Sequence, residues 1–257
     1  VVERTHLLPG WVSPIDLVVA VSCSGTTEET LSVTEEAGRR GARLVTIGSH
    51  GSPIEAISQA TPGAVHLAID AKGRMPRASL WTIATPLLML AGAIDLTDLT
   101  EADFDVTADL MDEVSVESGT NVPFDRNEAK QLGLAVAESV PMLWGTGAIG
   151  RAVTGRFMAQ LAENAKLPAI HGGLPEVGHN QIVTFDGPMA GKAGSDIFAD
   201  RIDGPTNRRL HLVLMRDEAE HEAVSRRVEV IKDIVAQRAF PMTELHARGE
   251  HRLHDLF

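Results

Sequence analysis

The chain has 257 residues, 44% of them hydrophobic and 23% charged, which is enough for one large or two smaller buried cores. Its formal net charge of −12 and its 4% aromatic content argue against nucleic acid as a partner, because phosphates would be repelled and few rings could stack on bases. No apolar run approaches the length of a membrane span, and the chain does not open with a secretory signal. A single cysteine, Cys23, excludes an internal disulfide, so we expect a cytoplasmic protein.

The first hundred residues alternate between short apolar runs and helical patterns. A helix is predicted over 26–40, and buried strands are predicted at 15–22, 42–47 and 65–69. This rhythm is typical of βαβ units in a doubly wound parallel sheet. The segment 76–96 is apolar nearly all round and predicts a buried helix, kinked at Pro86.

A second α/β half is predicted after an acidic helix over 99–117 and a joint at 121–126. Its predicted helices cover 128–138, 147–166 and 217–237, and its predicted strands cover 140–144, 167–171, 209–215 and 240–245. We therefore predict an α/β protein of two doubly wound parallel-sheet halves, 1–97 and 127–257, joined through 98–126.

The first candidate site is the segment Ser-Cys-Ser-Gly-Thr-Thr-Glu-Glu at 22–29, where a strand turns into a helix. Hydroxyls and backbone N–H groups at a helix N-terminus form an anion site, and ligands of open α/β sheets bind at this edge. The alternative is that Thr26 or Thr27 only caps the helix. The spacing alone leaves both interpretations open.

The second candidate site combines Glu-Asn-Ala-Lys at 163–166 with Pro-Glu-Val-Gly-His-Asn at 175–180. Taken alone, a glutamate near a helix end and a histidine in a loop are usually surface or capping residues. Arg77, at the start of an apolar helix, has the same ordinary interpretation.

Two further patterns point to other chemistry. Gly-Thr-Gly-Ala-Ile-Gly at 145–150 matches a dinucleotide-binding fingerprint, but no acidic residue ends the next predicted strand, so we interpret these glycines as close helix–strand packing. The C-terminal histidines His246, His251 and His254 lack the spacing of a metal-ligand pair, and we interpret them as a solvated helix face. Neither a metal nor a cofactor is predicted.

Together the motifs resemble a known family. Ser-x-Ser-Gly-x-Thr-Glu-Glu after an apolar strand resembles the phosphate-binding signature of SIS (sugar isomerase) domains. The two later motifs, in this order, resemble the C-terminal half of bifunctional phosphoglucose/phosphomannose isomerases. The resemblance runs from about Leu8 to the C-terminus and is densest between 123 and 183. It implies two SIS-like halves, each an αβα sandwich, and a chain truncated at both ends.

The resemblance implies a role for each matching residue. Ser22, Ser24 and Thr27 would bind the phosphate of a sugar 6-phosphate. Glu163 would move a proton between C1 and C2, His179 would open the sugar ring, and Arg77 would stabilise the cis-enediol intermediate. The predicted catalytic residues are therefore Glu163, His179 and Arg77.

The implied reaction is metal-free isomerisation of glucose 6-phosphate or mannose 6-phosphate to fructose 6-phosphate. The resemblance also implies a homodimer in which His179 of one chain approaches Glu163 and Ser22 of the other. A rival hypothesis is a regulator that binds sugar phosphates without turning them over. It explains the phosphate loop but gives no reason for a base and a ring-opening group.

Overall fold

The computed structural model describes residues 2–190, 209–248 and 253–254. The chain divides into two compact units, Val1–Thr100 and Glu101–Phe257. Each unit has its own sheet, and every strand pair in both sheets is parallel. The predicted fold class, an α/β protein with parallel sheets, is confirmed.

The first unit has a three-stranded sheet in the order β1–β2–β3. Its elements are β1 (Leu17–Ser22), α1 (Glu28–Arg39), β2 (Arg43–Ser49), α2 (Pro53–Ala60), β3 (Val65–Ile69), a 3-10 turn (Pro76–Ala78) and α3 (Leu80–Ala93). Helix α2 has no counterpart among the predicted elements, although Ser52 followed by Pro53 is typical of a helix start. Ser22 pairs with Gly48 and Ser49 with Ile69, so the three strands end at one edge.

Helix α3 contradicts the prediction of a buried helix. None of its residues is buried, and Trp81, Leu87 and Met89 each expose between 37% and 49% of their surface. An apolar composition predicts that the side chains of a helix are buried against another surface. It does not show whether that surface belongs to the same chain. Among the described residues, no helix is long and apolar enough to cross a bilayer.

The second unit has a four-stranded sheet in the order β5–β4–β6–β7. Its helices and turns are α4 (Glu101–Glu117), a 3-10 turn (Phe124–Arg126), α5 (Glu128–Ala137), α6 (Gly147–Gln160), a π-helical turn (Leu161–Ala165), α7 (Val177–Asn180), a 3-10 helix (Gln181–Asp186) and α8 (Glu222–Gln237). Its strands are β4 (Ser139–Gly145), β5 (Ile170–Gly173), β6 (Arg209–Arg216) and β7 (Met242–His246).

Two elements of this unit begin three or more residues later than predicted. Strand β5 starts at Ile170 instead of at 167, and α8 starts at Glu222 instead of at 217. Helix α8 begins there because the His221 side chain caps it by accepting a hydrogen bond from the Ala223 N–H at 3.0 Å. Asp217 is thereby left outside the helix.

The core of the second unit lies on both faces of its sheet. Side chains of the two central strands alternate between two clusters, the first containing Met142, Trp144, Leu212 and Leu214 and the second containing Leu143 and Val213. Continuous apolar runs in these strands follow from this burial on both sides, which is typical of parallel sheets.

Candidate active site

The loop after β1 holds its hydroxyl groups in a fixed arrangement. Ser22 is buried, and its Oγ lies 2.7 Å from Thr27 Oγ1 and accepts a hydrogen bond from the Gly25 N–H at 3.1 Å. Gly25 has a φ of +67°, and a Cβ there would lie 2.1 Å from Ser52 Oγ. Only glycine therefore suits this position, and the loop it shapes brings Ser22 and Thr27 together at the start of α1.

The start of α1 shows whether Thr27 only caps this helix, which was the alternative to an anion site. Thr27 directly precedes the helix, but its side chain makes no capping hydrogen bond. Ser24 is exposed on the same loop, with its Oγ 2.8 Å from Thr26 Oγ1. The Thr27 hydroxyl therefore contacts Ser22 and does not cap the helix, which leaves the first backbone N–H groups of α1 without a side-chain cap from Thr27.

A groove of about 470 Å³ opens at the carboxyl ends of the three strands. Residues at and beyond the end of each strand line it: Cys23 and Ser24 after β1, Ser49 and His50 at the end of β2, and Ile69 to Arg74 with Pro76 at the end of β3 and beyond. This edge is where ligands bind in open α/β sheets. Two lining cations, Lys72 and Arg74, were missed from the sequence. The available signal was the cluster of basic residues in the stretch 72–77 of an acidic chain.

Arg77 lies on the same loop as these two cations. It belongs to the 3-10 turn between β3 and α3, and it is exposed. Arg74, just before it, donates a hydrogen bond to Thr82 Oγ1 at 3.1 Å. Because parallel strands end at one edge, the first unit places Arg77 on the same side of its sheet as the Ser22 loop.

Glu163 lies in the π-helical turn that continues α6, where a regular helix was predicted. Its side chain is exposed. Lys166 ends the turn with a φ of +58°, and its Nζ donates to the Glu163 backbone carbonyl at 2.5 Å. The Glu-Asn-Ala-Lys motif is thus a local departure from helical geometry, of a kind that is frequent at functional sites.

His179 lies in the short helix α7 and is exposed. Its Nε2 lies 3.2 Å from a guanidinium nitrogen of Arg227 on α8. On the same helix, Asn180 Nδ2 donates to Glu176 Oε1 at 2.9 Å. Arg227 was missed from the sequence, because it is 48 positions away and no local pattern marks it.

The segment that contains His179 is attached to the core at two points. Trp144 is fully buried in β4, and its Nε1 donates to Gln181 Oε1 at 2.8 Å. A Cβ on Gly172 would lie 2.3 Å from Val177 Cγ1, so α7 packs against β5 only because this position is glycine. The position of His179 is therefore fixed by contacts of its neighbours with the buried sheet.

Glu163 and His179 lie toward opposite ends of β5 in the second unit. Helix α6 starts beyond the carboxyl end of β4 and runs back along the sheet, so that Glu163 lies before the start of β5. The helical run from Gly147 to Glu163 is about 24 Å long. His179 follows the carboxyl end of β5. The order of the elements thus separates the two residues along β5 within one copy of this unit.

The glycine motif at 145–150 packs a helix against a strand, as predicted. A Cβ on Gly145 would lie 2.2 Å from the Gly150 backbone, and a Cβ on Gly147 would lie 2.2 Å from Asp217 Oδ2. The Asp217 carboxylate accepts a hydrogen bond from the Ile149 N–H at 3.2 Å. It thus occupies the helix end where a dinucleotide would place its pyrophosphate, which argues against an NAD site.

A partly buried polar cluster lies at the carboxyl end of β6 and beside β7. Arg216 pairs with Glu220, and also with Glu244 at 2.6 Å. Burial alone would raise the pKa of Glu220, but hydrogen bonds from Arg216, Thr146 and Ser225 outweigh it and hold the pKa below its ordinary value of 4.5. These charged groups satisfy one another, and they give this edge a structural role.

The C-terminal histidines do not form the solvated helix face that was predicted. His246 ends strand β7 and is exposed, whereas His254 is buried. His251 lies outside the described residues. Within the described part of the chain, no group of three or more His, Cys, Asp or Glu side chains is placed to hold a metal ion.

Comparison with known families identifies the second unit. The family described as bacterial phospho-glucose isomerase C-terminal SIS domain matches residues 125–257. The chain belongs to this family. The resemblance inferred from the sequence motifs is thereby confirmed.

Two relatives match along nearly the whole chain. The bifunctional phosphoglucose/phosphomannose isomerase of Caldicellulosiruptor bescii is 27% identical over 100% of this chain and 70% of its own length. The enzyme of the same name from Aquifex aeolicus is 27% identical over 97% of this chain and 67% of its own length. The first unit, which the family match does not include, is therefore also similar to these isomerases.

Solved structures show the same fold at low sequence identity. Glucosamine-6-phosphate deaminase from Thermotoga maritima has a TM-score of 0.60 at 13% identity, covering 95% of this chain and 63% of that one. Tagatose-6-phosphate ketose/aldose isomerase from Escherichia coli has a TM-score of 0.60 at 12% identity, covering 95% of this chain and 60% of that one. This chain thus spans less than two thirds of either solved chain.

Proposed function

We propose that this chain forms the active-site region of a phosphosugar isomerase. Its substrates are glucose 6-phosphate, mannose 6-phosphate or both, which it interconverts with fructose 6-phosphate without a metal ion. Membership of the family and the names of the two bifunctional relatives support these substrates. The observation that carries the proposal is the Ser22–Thr27 hydroxyl loop, at the mouth of a groove along the carboxyl edge of the first sheet.

The phosphate of the substrate binds at the start of α1. Ser22, Ser24 and Thr27 supply hydroxyl donors, and the first N–H groups of the helix add backbone donors and a favourable dipole. A phosphate held there directs the sugar carbons toward the loop that contains Arg77. Hydrogen bonds to a charged phosphate are stronger than neutral ones, so this loop supplies much of the binding energy.

The chemistry begins with the closed sugar ring. His179 assists proton transfer to the ring oxygen and from the anomeric hydroxyl, and the open aldose results. The Glu163 carboxylate removes the proton from C2, giving a cis-enediolate whose negative charge on the C1 oxygen Arg77 stabilises. The proton of the C2 hydroxyl passes to the C1 oxygen, the protonated Glu163 returns its proton to C1, and the C2 carbonyl of the ketose forms. Since both aldoses lose their stereochemistry at C2 in the enediol, one base serves both.

The placement of Glu163 and His179 supports a homodimer with a shared active site. The two residues lie toward opposite ends of β5, so we propose that a second copy supplies the histidine. Exposed apolar side chains on α3 support an interface between copies, because surfaces of this kind usually bind a partner. We also propose a cytoplasmic location, which the single cysteine supports.

The test is a coupled enzyme assay of the full-length protein, with EDTA present to remove metal ions. Mannose 6-phosphate and glucose 6-phosphate are supplied in turn, and fructose 6-phosphate formation is monitored. We expect turnover with at least one of them, and a loss of at least about a hundredfold in Glu163→Gln and in His179→Ala, as for removal of a general acid or base. Glu138→Gln, another exposed glutamate of the second unit, is the control and should keep its activity.

Two outcomes would contradict this proposal. Full activity in Glu163→Gln would remove the base from the mechanism. Intact binding of the sugar phosphates without turnover would favour the regulator hypothesis.

A further inference from the structure

We propose that Arg227 is a positioning residue that fixes the tautomer of His179. Arg227 holds the imidazole with its proton on Nδ1, so that this N–H is directed to the substrate ring. The inference rests on the proposed role of His179 in ring opening. It adds a residue that no motif in the sequence marks.

The hydrogen-bond geometry determines which ring nitrogen bears the proton. A guanidinium nitrogen of Arg227 lies 3.2 Å from His179 Nε2. A guanidinium group has only donors, so Nε2 must be the acceptor and the ring proton must be on Nδ1. The same nitrogen lies 3.4 Å from the Pro175 carbonyl oxygen, which holds the guanidinium against the turn before α7.

The packing around Arg227 makes this contact a fixed one. A Cβ on Gly178 would lie 3.4 Å from Arg227 Cδ, so the arginine stem lies directly over the backbone of α7. The next residue, Val228, is fully buried in the same core cluster as Val177 of α7. Helices α7 and α8 are therefore joined by apolar packing, with the arginine and the histidine facing each other above it.

The tautomer matters for ring opening. As the bond between C1 and the ring oxygen breaks, its electron pair goes to the ring oxygen, which takes the proton from His179 Nδ1. The proton of the anomeric hydroxyl passes to the same nitrogen, and the C1 carbonyl forms. The imidazole ends with the proton count it began with. In the other tautomer Nδ1 has no proton to donate, so the ring oxygen would have to leave unprotonated.

The experiment separates ring opening from isomerisation. Exchange between the two anomers of glucose 6-phosphate needs ring opening but not the base, so it is measured by NMR in the Glu163→Gln protein. We expect this protein to accelerate the exchange. Adding Arg227→Met, which keeps the stem over Gly178, should slow the catalysed exchange about tenfold or more. Adding Arg226→Met, the adjacent exposed arginine that pairs with Glu222, should leave it unchanged.

A second readout reports the tautomer itself. Long-range proton–nitrogen spectra of His179 should show an unprotonated Nε2 in the parent protein and a mixture of tautomers in Arg227→Met. Arg227→Gln, which also lacks the charge, is the second variant and should behave in the same way. Unchanged exchange and an unchanged tautomer in these variants would overturn the role of Arg227. No catalysed exchange in the Glu163→Gln parent would overturn the role of His179, and that of Arg227 with it.

Discussion

At the scale of single residues, the Thr27 hydroxyl tests whether the loop after β1 binds phosphate as proposed. Thr27→Val keeps the shape of the side chain but removes the hydroxyl that faces Ser22 at 2.7 Å. We expect KM for the sugar phosphate to rise about tenfold with a smaller change in kcat, because a hydrogen bond to a charged group is lost. Steady-state kinetics would measure this effect.

The control for this prediction is Thr30→Val, one turn further along α1 and beyond the loop. It should leave KM unchanged. Equal KM values for the wild type and Thr27→Val would show that the hydroxyl serves the fold alone.

A second residue with a measurable signature is His211 in β6. It is buried, its Nε2 lies 2.8 Å from Thr243 Oγ1, and burial lowers its pKa below the ordinary value of 6.5. The unfolded chain then binds a proton at a higher pH than the folded chain does. The stability that depends on neutral His211 is thus complete above pH 6.5 and is lost as the pH falls below it.

The prediction concerns the pH dependence of the free energy of unfolding. Between pH 7.5 and pH 5.5, urea unfolding of the wild type should show a steeper fall than that of His211→Gln, by at most about 1.4 kcal/mol per pH unit for one proton. If the free energy of unfolding fell equally with pH in both proteins, the pKa of His211 would be the same in the folded and unfolded chains, and the prediction would be wrong.

At the scale of elements, the end of β5 positions the segment that contains His179. A Cβ on Gly172 would lie 2.3 Å from Cγ1 of Val177, a buried residue of α7. We expect Gly172→Ala to lower the free energy of unfolding by about 1–3 kcal/mol, as overpacking does, and to lower kcat by displacing α7. Chemical denaturation and the isomerase assay would measure the two effects.

The matched control is Gly133→Ala on α5. A Cβ there has nothing within 4 Å, so the change should be neutral or stabilising by about 0.4–1 kcal/mol. A Gly172→Ala protein as stable and active as the wild type would contradict the tight contact between β5 and α7.

The elements also show what a sequence can predict. The limits predicted for Val65–Ile69 are the observed ones, because an apolar run between breakers is a local signal. The burial of α3, the start of α8 and the π turn at Glu163 were not predicted correctly. Each depends on something that local periodicity does not record. For α3 it is how much of the rest of the chain packs on the helix, for α8 it is the capping side chain of His221, and for Glu163 it is a π-helical turn within a helix.

The residues of the candidate site also fall into those that the sequence can indicate and those that it cannot. The Ser22 loop and the Glu163 and His179 motifs are contiguous stretches, so their residue types can be selected from the sequence alone. Arg227 cannot be selected in this way, because its significance is a contact across 48 positions. Lys72 and Arg74 lie between these cases, since the sequence shows their charge but not their position at the groove.

At the scale of the whole molecule, the arrangement of the second unit limits how an active site can form. The helical run of about 24 Å between Gly147 and Glu163 places the proposed base before the start of β5, and His179 lies beyond its carboxyl end. The proposed homodimer would resolve this separation without any change of fold, because its symmetry would give each site a histidine from the other copy. In that arrangement Glu163→Gln and His179→Ala lose activity for different reasons, and each variant retains the residue that the other lacks.

Mixing the two variants tests this arrangement directly. Glu163→Gln and His179→Ala proteins are purified separately, dissociated together and reassembled. Random pairing makes half of the dimers hybrids, and in each hybrid one of two sites has both a wild-type Glu163 and a wild-type His179. The mixture should thus recover about one quarter of wild-type activity, whereas each variant alone stays inactive. If both residues acted within one copy, every copy in the mixture would still lack one of them, and reassembly would recover nothing.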